Sequence, residues 1–239
     1  MLSDRRQRVL AALVEEYVAR ALPVGSRTLT ERYELGVSSA TVRNELSALE
    51  DEGYLSQPHT SAGRIPTDFG YRAFVDNLIA SGVLNNNEHT QDVVAQMRAN
   101  AKELDDLLAQ TSAALARLTD CLSIVMPQDV SHSHRLGMSS LMKKPEFAQS
   151  MALLPIMQVL EDDTILMQVL DATASTAETP TVRIGSENEA EQLSGVSVVA
   201  CRYGHGDDEG IVAVIGPTRM NYSRVLGAVR MASQALGED

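Results

Sequence analysis

Apolar positions in the first eighty residues recur three and four apart, in short blocks separated by turn residues. Val9, Leu10, Leu13, Val14, Tyr17 and Val18 share such a spacing, which predicts an amphipathic helix from Ser3 to Ala21 with Ser3 as N-cap. Leu22-Pro23-Val24-Gly25 stops it. Ser26 is placed to cap a short helix reaching about Tyr33, and Gly36 supplies a turn in which a positive φ costs little. Ser38 then begins a helix to Glu52, with Val42, Leu46 and Leu49 inward and Ser39, Ala40, Thr41, Arg43 and Asn44 crowding its first turns.

Short helix, glycine turn and second helix form a helix-turn-helix, whose second helix enters a DNA major groove with its N-terminal side chains. Arg forks onto guanine and Asn onto adenine, whereas Ser and Thr bond either base edges or phosphates. Tyr54–Gln57 and Arg64–Pro66 read as two extended pieces around the polar loop Pro58–Gly63, a β-hairpin wing with Arg64 aimed at a phosphate or the minor groove. Thr67 caps a closing helix on which Tyr71, Phe74, Val75 and Leu78 share one face. The expected nucleic-acid contacts are Ser39, Thr41, Arg43 and Asn44 on bases, Arg27, His59, Ser61 and Arg64 on the wing and backbone, with Ser38 and Thr60 beside them.

Ser81–Asn87 is polar and turn-rich, so the expected organisation is a winged-helix DNA-binding domain over 1–81, a linker over 82–89, and a long helix plus regulatory domain over 90–239. From Thr90 to Leu122, Met97, Ala101, Leu104, Leu108, Thr111, Leu115, Leu118 and Leu122 alternate four and three apart. A sustained 3.5 period suits a seam between two helices, and Met97, Leu104, Leu108, Leu115, Leu118 and Leu122 are the candidate homodimer contacts. The same stripe equally suits packing on its own domain, and both readings stand. Farther on, Ser123–Met126, Thr181–Gly185, Gly195–Tyr203 and Gly210–Gly216 read as strands, Met151–Leu160 and Thr164–Leu170 as helices or partly extended runs, and Asn221 caps a last helix. The fold class is α+β.

Charge sharpens this picture. The net charge is -12, yet the first 81 residues carry nine Arg against eleven acids, so the acidity belongs mostly to the remainder. A near-neutral region still binds phosphates when its arginines share a face, because screening confines Coulomb effects to about 8 Å. No run of 18 apolar residues occurs, so neither a membrane span nor a signal peptide is expected, and the location expected is cytoplasmic. Cys121 and Cys201 lie on separate apolar runs and read as reduced core residues.

Catalytic and metal chemistry find little support. His132 and His134 with His205, Asp207, Asp208 and Glu209 could be drawn together as ligands, but such polar loops are ordinarily solvated connectors. Gly216-Pro217-Thr218-Arg219 before a helix could cradle an anion, although a turn with Arg219 paired to an acidic surface is the better reading. No phosphate loop, nucleophile elbow or paired catalytic carboxylates occur, so no enzyme and no cofactor are expected.

The run PVGSRTLTERYELGVSSATVRNELSALEDEGYLSQPHTSAGRIPTDFGYRAFVD, with PHTSAGRIPT as its most specific part, closely resembles the N-terminal winged helix of the heat-inducible transcription repressor HrcA family. LMKKPEF and IGSENEAEQLSGVSVVACRYGHGDDEGIVAVIGPTRMNYSRVL resemble, in matching order, that family's GAF-like domain. The resemblance implies a repressor of heat-shock chaperone operons that binds an inverted-repeat DNA operator as a homodimer and is modulated by the chaperonin GroEL. A winged-helix regulator controlled by a small-molecule effector in the GAF-like domain is the alternative. The family carries a long inserted dimerising segment where this chain has only Pro127–Ser140, which implies a truncated GAF-like domain and dimerisation through the long helix and remaining sheet, or its loss.

Overall fold

A computed structural model describes residues 2–59, 62–82, 104–129, 132–148, 151, 153–175, 179–204 and 209–237. The chain falls into two compact units, Met1–Gly82 and Val83–Asp239.

In the first unit, α1 (Asp4–Arg20) starts at Ser3, whose hydroxyl accepts the Arg6 N–H, and ends at Ala21 in the left-handed region. Its apolar stripe buries Val9, Leu10, Leu13 and Val14. The next helix, α2 (Ser26–Arg32), has Gly25 as N-cap without a side-chain bond, so Ser26 is its first helical residue and not its cap. The Ser26 hydroxyl turns instead to another helix start, at Ser39. After the Gly36 turn comes α3 (Ser39–Asp51), capped by Ser38 and burying Val42, Leu46 and Leu49. Strands β1 (Leu55–Ser56) and β2 (Ile65–Pro66) form an antiparallel ribbon in register Leu55↔Pro66, and Arg64 bridges back to Val24. Helix α4 (Asp68–Ala80) is capped by the Thr67 hydroxyl, which accepts the Gly70 N–H, and buries Tyr71, Phe74 and Val75. The order of elements is that of a winged helix-turn-helix.

The second unit is α+β. Its described elements are α5 (Leu104–Thr119), β3 (Leu122–Pro127), β4 (His134–Leu136), α6 (Met138–Met142), α7 (Leu154–Glu161), α8 (Asp163–Thr173), β5 (Thr181–Ile184), β6 (Val196–Tyr203), β7 (Gly210–Pro217) and α9 (Tyr222–Gly237). The strands make one antiparallel sheet in the order β4-β3-β7-β6-β5, a GAF-like arrangement. Alternation along the strands gives the sheet two apolar faces. Leu122, Ile124, Met126, Val198, Ala200, Ala213 and Ile215 lie in one core with Leu141, Ile156, Val159, Leu166 and Leu170 from the α6–α8 layer. Helices α5 and α9 cover the opposite face, pinned through polar contacts: Ser112 to Ser123, Tyr222 to Ser197 at 2.7 Å, and Ser233 to Cys201.

The candidate dimer-seam residues do not form one continuous helical face. Helix α5 ends at Thr119, because Asp120 takes a left-handed φ of 52° that Asp tolerates, and Leu122 opens β3 inside the core. Leu108 and Leu115 are each only 2% exposed within this unit, and Leu118 is half-buried. A stripe of period near 3.5 covers a sheet and a neighbouring helix as well as it covers a second copy, and here α5 packs on α9, β3 and β4. Met97 lies outside the described residues, as does the Leu104 side chain. Of the two runs that read as helices or partly extended, Leu154–Glu161 and Asp163–Thr173 are helical, and the Asn221 side chain caps α9 by accepting the Arg224 N–H at 3.0 Å.

Candidate nucleic-acid interface

The first turn of α3 is tightly organised. Gly36, at φ 68°, turns the chain, and the Ser38 hydroxyl then accepts the Thr41 N–H at 3.2 Å and meets the Thr41 hydroxyl at 3.0 Å. These two hydroxyls serve the cap. Ser39, expected to read a base, places its hydroxyl 3.1 Å from that of Ser26 and ties the start of α3 to the start of α2.

Charges pin two more sides of α3. Glu45 takes Arg5 at 2.8 Å and Arg6 at 3.0 Å, and Arg6 also reaches Glu52, so this flank faces α1. Glu50 takes Arg64: Nε and Nη2 both donate to Oε2, at 3.1 and 2.8 Å, which joins the recognition helix to the wing. Core, α2, α1 and wing therefore hold one continuous arc, about half of the helix circumference. Ala40, Arg43, Asn44 and Asp51 remain, exposed, with Ser47 half-buried among them; at 100° per residue they lie on one stripe opposite Val42, Leu46 and Leu49. Among the described residues neither Arg43 nor Asn44 has a hydrogen bond or ion pair with another side chain.

The wing is seated on its neighbours by backbone. Val24 and Arg64 exchange both N–H···O bonds, at 2.9 and 2.8 Å, and a Cβ on Gly63 would stand 2.5 Å from the Val24 carbonyl carbon. Only glycine allows that approach. The Gln57 amide crosses the ribbon to the Ala62 carbonyl at 2.8 Å, and His59 is exposed at the wing end, while Thr60 and Ser61 lie outside the described residues. Arg27 is exposed on α2 and paired with Glu31 one turn on, which raises its already high pKa and keeps it charged.

The expected contacts thus divide. Arg43, Asn44 and His59 lie exposed, Arg27 is exposed but paired with Glu31, and Ser38, Ser39, Thr41 and Arg64 are engaged within the unit. Sequence reasoning missed Ser26, Glu45 and Glu50 as organisers. Nothing in periodicity marks Glu50 as the partner of a residue fourteen positions later.

Elsewhere, His132 pairs with Asp129 at 3.2 Å and His134 with Asp105 at 3.0 Å; His205, Asp207 and Asp208 lie outside the described residues. Among the described residues no group of three metal-ligating side chains comes together. Arg219 binds Glu146 at 2.6 Å, the pairing favoured over an anion cradle. No described helix is long and apolar enough to cross a membrane.

A winged helix-turn-helix unit and a GAF-like α+β unit in one chain define a winged-helix protein of two units. Comparison with known proteins narrows this class. The family model described as "HrcA protein C terminal domain" matches residues 132–226. The curated heat-inducible transcription repressor HrcA of Streptomyces avermitilis is 32% identical over 337 residues, with 100% of this chain and 98% of that protein covered. The HrcA of Frankia casuarinae is 32% identical over 339 residues, again with 100% and 98% covered. The chain belongs to the HrcA family. Because those matches run well beyond its 239 residues, the alignments hold positions to which this chain contributes nothing. A crystal structure of a hypothetical protein shares the fold, with a TM-score of 0.82, 21% identity and coverage of 99% of this chain and 98% of that one.

Proposed function

We propose that the chain is a sequence-specific, cytoplasmic DNA-binding repressor of heat-shock chaperone operons that binds an inverted-repeat operator as a homodimer. The observation that carries this reading is the outward stripe of α3. Core, α1, α2 and wing hold one half of the helix, while Arg43, on the edge next to Glu50, and Asn44 lie exposed without side-chain partners among the described residues. Those two side chains suit the major groove, Arg43 forking onto guanine O6 and N7 and Asn44 onto adenine N6 and N7. Ser38, Ser39 and Thr41 act by fixing the helix start, and Arg27, His59, Thr60 and Ser61 meet the sugar-phosphate backbone.

Dimerisation follows from the operator's symmetry, since two linked units gain effective concentration over one weak contact. With Leu108, Leu115 and Leu122 buried in their own unit, pairing in this reading uses residues other than these three. The reading takes the chaperonin GroEL as modulator, as the family resemblance implies; for a marginally stable repressor about 1 to 2 kcal/mol of stability would change the active amount several-fold.

The test is a gel shift of the full chain, with and without chaperonin, on a duplex carrying the family's inverted repeat and on a scrambled duplex at matched salt. Specific retardation with two chains per repeat is expected. Equal retardation of both duplexes, or none, would contradict the reading.

A further inference from the structure

The contact between Glu50 and Arg64 has a role that neither residue type announces. Arg64 sits where the wing returns, next to the loop expected to approach DNA, and a lone arginine there would be read as a phosphate ligand. Its surroundings argue otherwise. Its backbone is tied on both sides to Val24, the preceding Gly63 leaves no room for a shift, and its guanidinium forks onto one oxygen of Glu50. Side-chain exposure is 20% for Arg64 and 30% for Glu50, so the pair is partly withdrawn from water and less screened than a surface pair. Two charge-assisted donors on one carboxylate oxygen restrain the guanidinium more than one donor would. Moving Arg64 onto a phosphate would leave the Glu50 carboxylate unpaired beside a polyanion. That penalty opposes the gain.

Resting on the repressor reading above, we propose that Glu50 and Arg64 form a wing clamp that stays closed on DNA: Arg64 is a positioning residue and not a phosphate ligand, and Glu50 determines operator specificity without touching DNA. The clamp sets the distance between wing and outward stripe of α3. A specific complex needs both in register with one half-site, whereas a non-specific complex lets the wing settle where it can. Loss of the clamp therefore weakens operator binding more than binding to unrelated duplex.

The experiment measures Kd of the full chain for operator and scrambled duplex over a range of salt, for wild type, Glu50→Gln, Arg64→Gln and the double variant, with thermal melts to show that each folds. Arg64→Lys serves as a further variant if Arg64→Gln melts early. The clamp predicts that each single variant loses on the order of tenfold on operator, the double loses no more than either single, and Arg64→Gln keeps the wild-type slope of log K against log salt. A slope reduced by about 0.9 in Arg64→Gln, with tighter binding by Glu50→Gln, would instead make Arg64 a phosphate ligand restrained by Glu50. No change in any variant would also overturn the clamp. Wild type that fails to distinguish the two duplexes would contradict the repressor reading itself, a result separate from either.

Discussion

The Ser39 hydroxyl at the start of α3 lies 3.1 Å from the Ser26 hydroxyl at the start of α2. Two helix starts are joined by one bond, and a residue typical of base contacts is turned inward by it. Replacing Ser39 by Ala removes one partly buried hydrogen bond, worth about 0.5 to 1.5 kcal/mol. Ser39→Ala is expected to lower the melting temperature slightly and to weaken operator and scrambled duplex by the same factor; a loss confined to operator would restore Ser39 as a base reader.

Gly70, in the first turn of α4, faces the Tyr54 carbonyl so closely that a Cβ would overlap its oxygen. The same carbonyl accepts from the Thr67 hydroxyl at 3.1 Å, and Gly53 accepts from it at 2.7 Å, so the backbone is held in place. Gly70→Ala is expected to destabilise the first unit by about 1 to 3 kcal/mol, the usual cost of overpacking. An unchanged urea midpoint would contradict this geometry.

Leu115 is buried on α5 against its own unit. Leu115→Ala should cost about 2 to 5 kcal/mol of stability through the lost burial and the cavity left behind. Sedimentation of the chain, under conditions where it stays folded, should show no change in oligomeric state. Dissociation without destabilisation would return the leucine stripe to the dimer interface.

Cys121 packs its sulfur beside Gly216 of β7, and burial pushes its thiol pKa up from 9.0 to about 11. The folded chain thus holds this proton more tightly than the unfolded chain. Its contribution to stability is complete below pH 9 and is lost as pH rises from 9 towards 11. Alkylation at pH 8.5 should label Cys121 only after unfolding, because the thiolate is the nucleophile. Rapid labelling of the folded chain would be the contrary result.

Much of this organisation was legible in the sequence. Ser3, Ser38, Thr67 and Asn221 announced four helix starts, since capping needs a specific side chain at a specific offset. The β-branched runs that became β6 and β7 were equally plain. What stayed hidden depends on distance in the chain. The destination of the α5 leucines, the turn of Ser39 towards Ser26 and the closing of Glu50 on Arg64 are tertiary choices. Spacing shows which residues share a face but not what that face meets. Ser26 illustrates the limit locally: Gly25 took the cap position, which freed the hydroxyl for another helix.

The measurement that bears most directly on the central claim is the affinity of wild type and Asn44→Ala for operator and scrambled duplex, by fluorescence anisotropy at matched salt. With Asn44 as a base reader on the outward stripe of α3, the variant should lose about 1 to 3 kcal/mol on operator and almost nothing on the scrambled duplex. Equal losses on both, or no loss on either, would contradict the account.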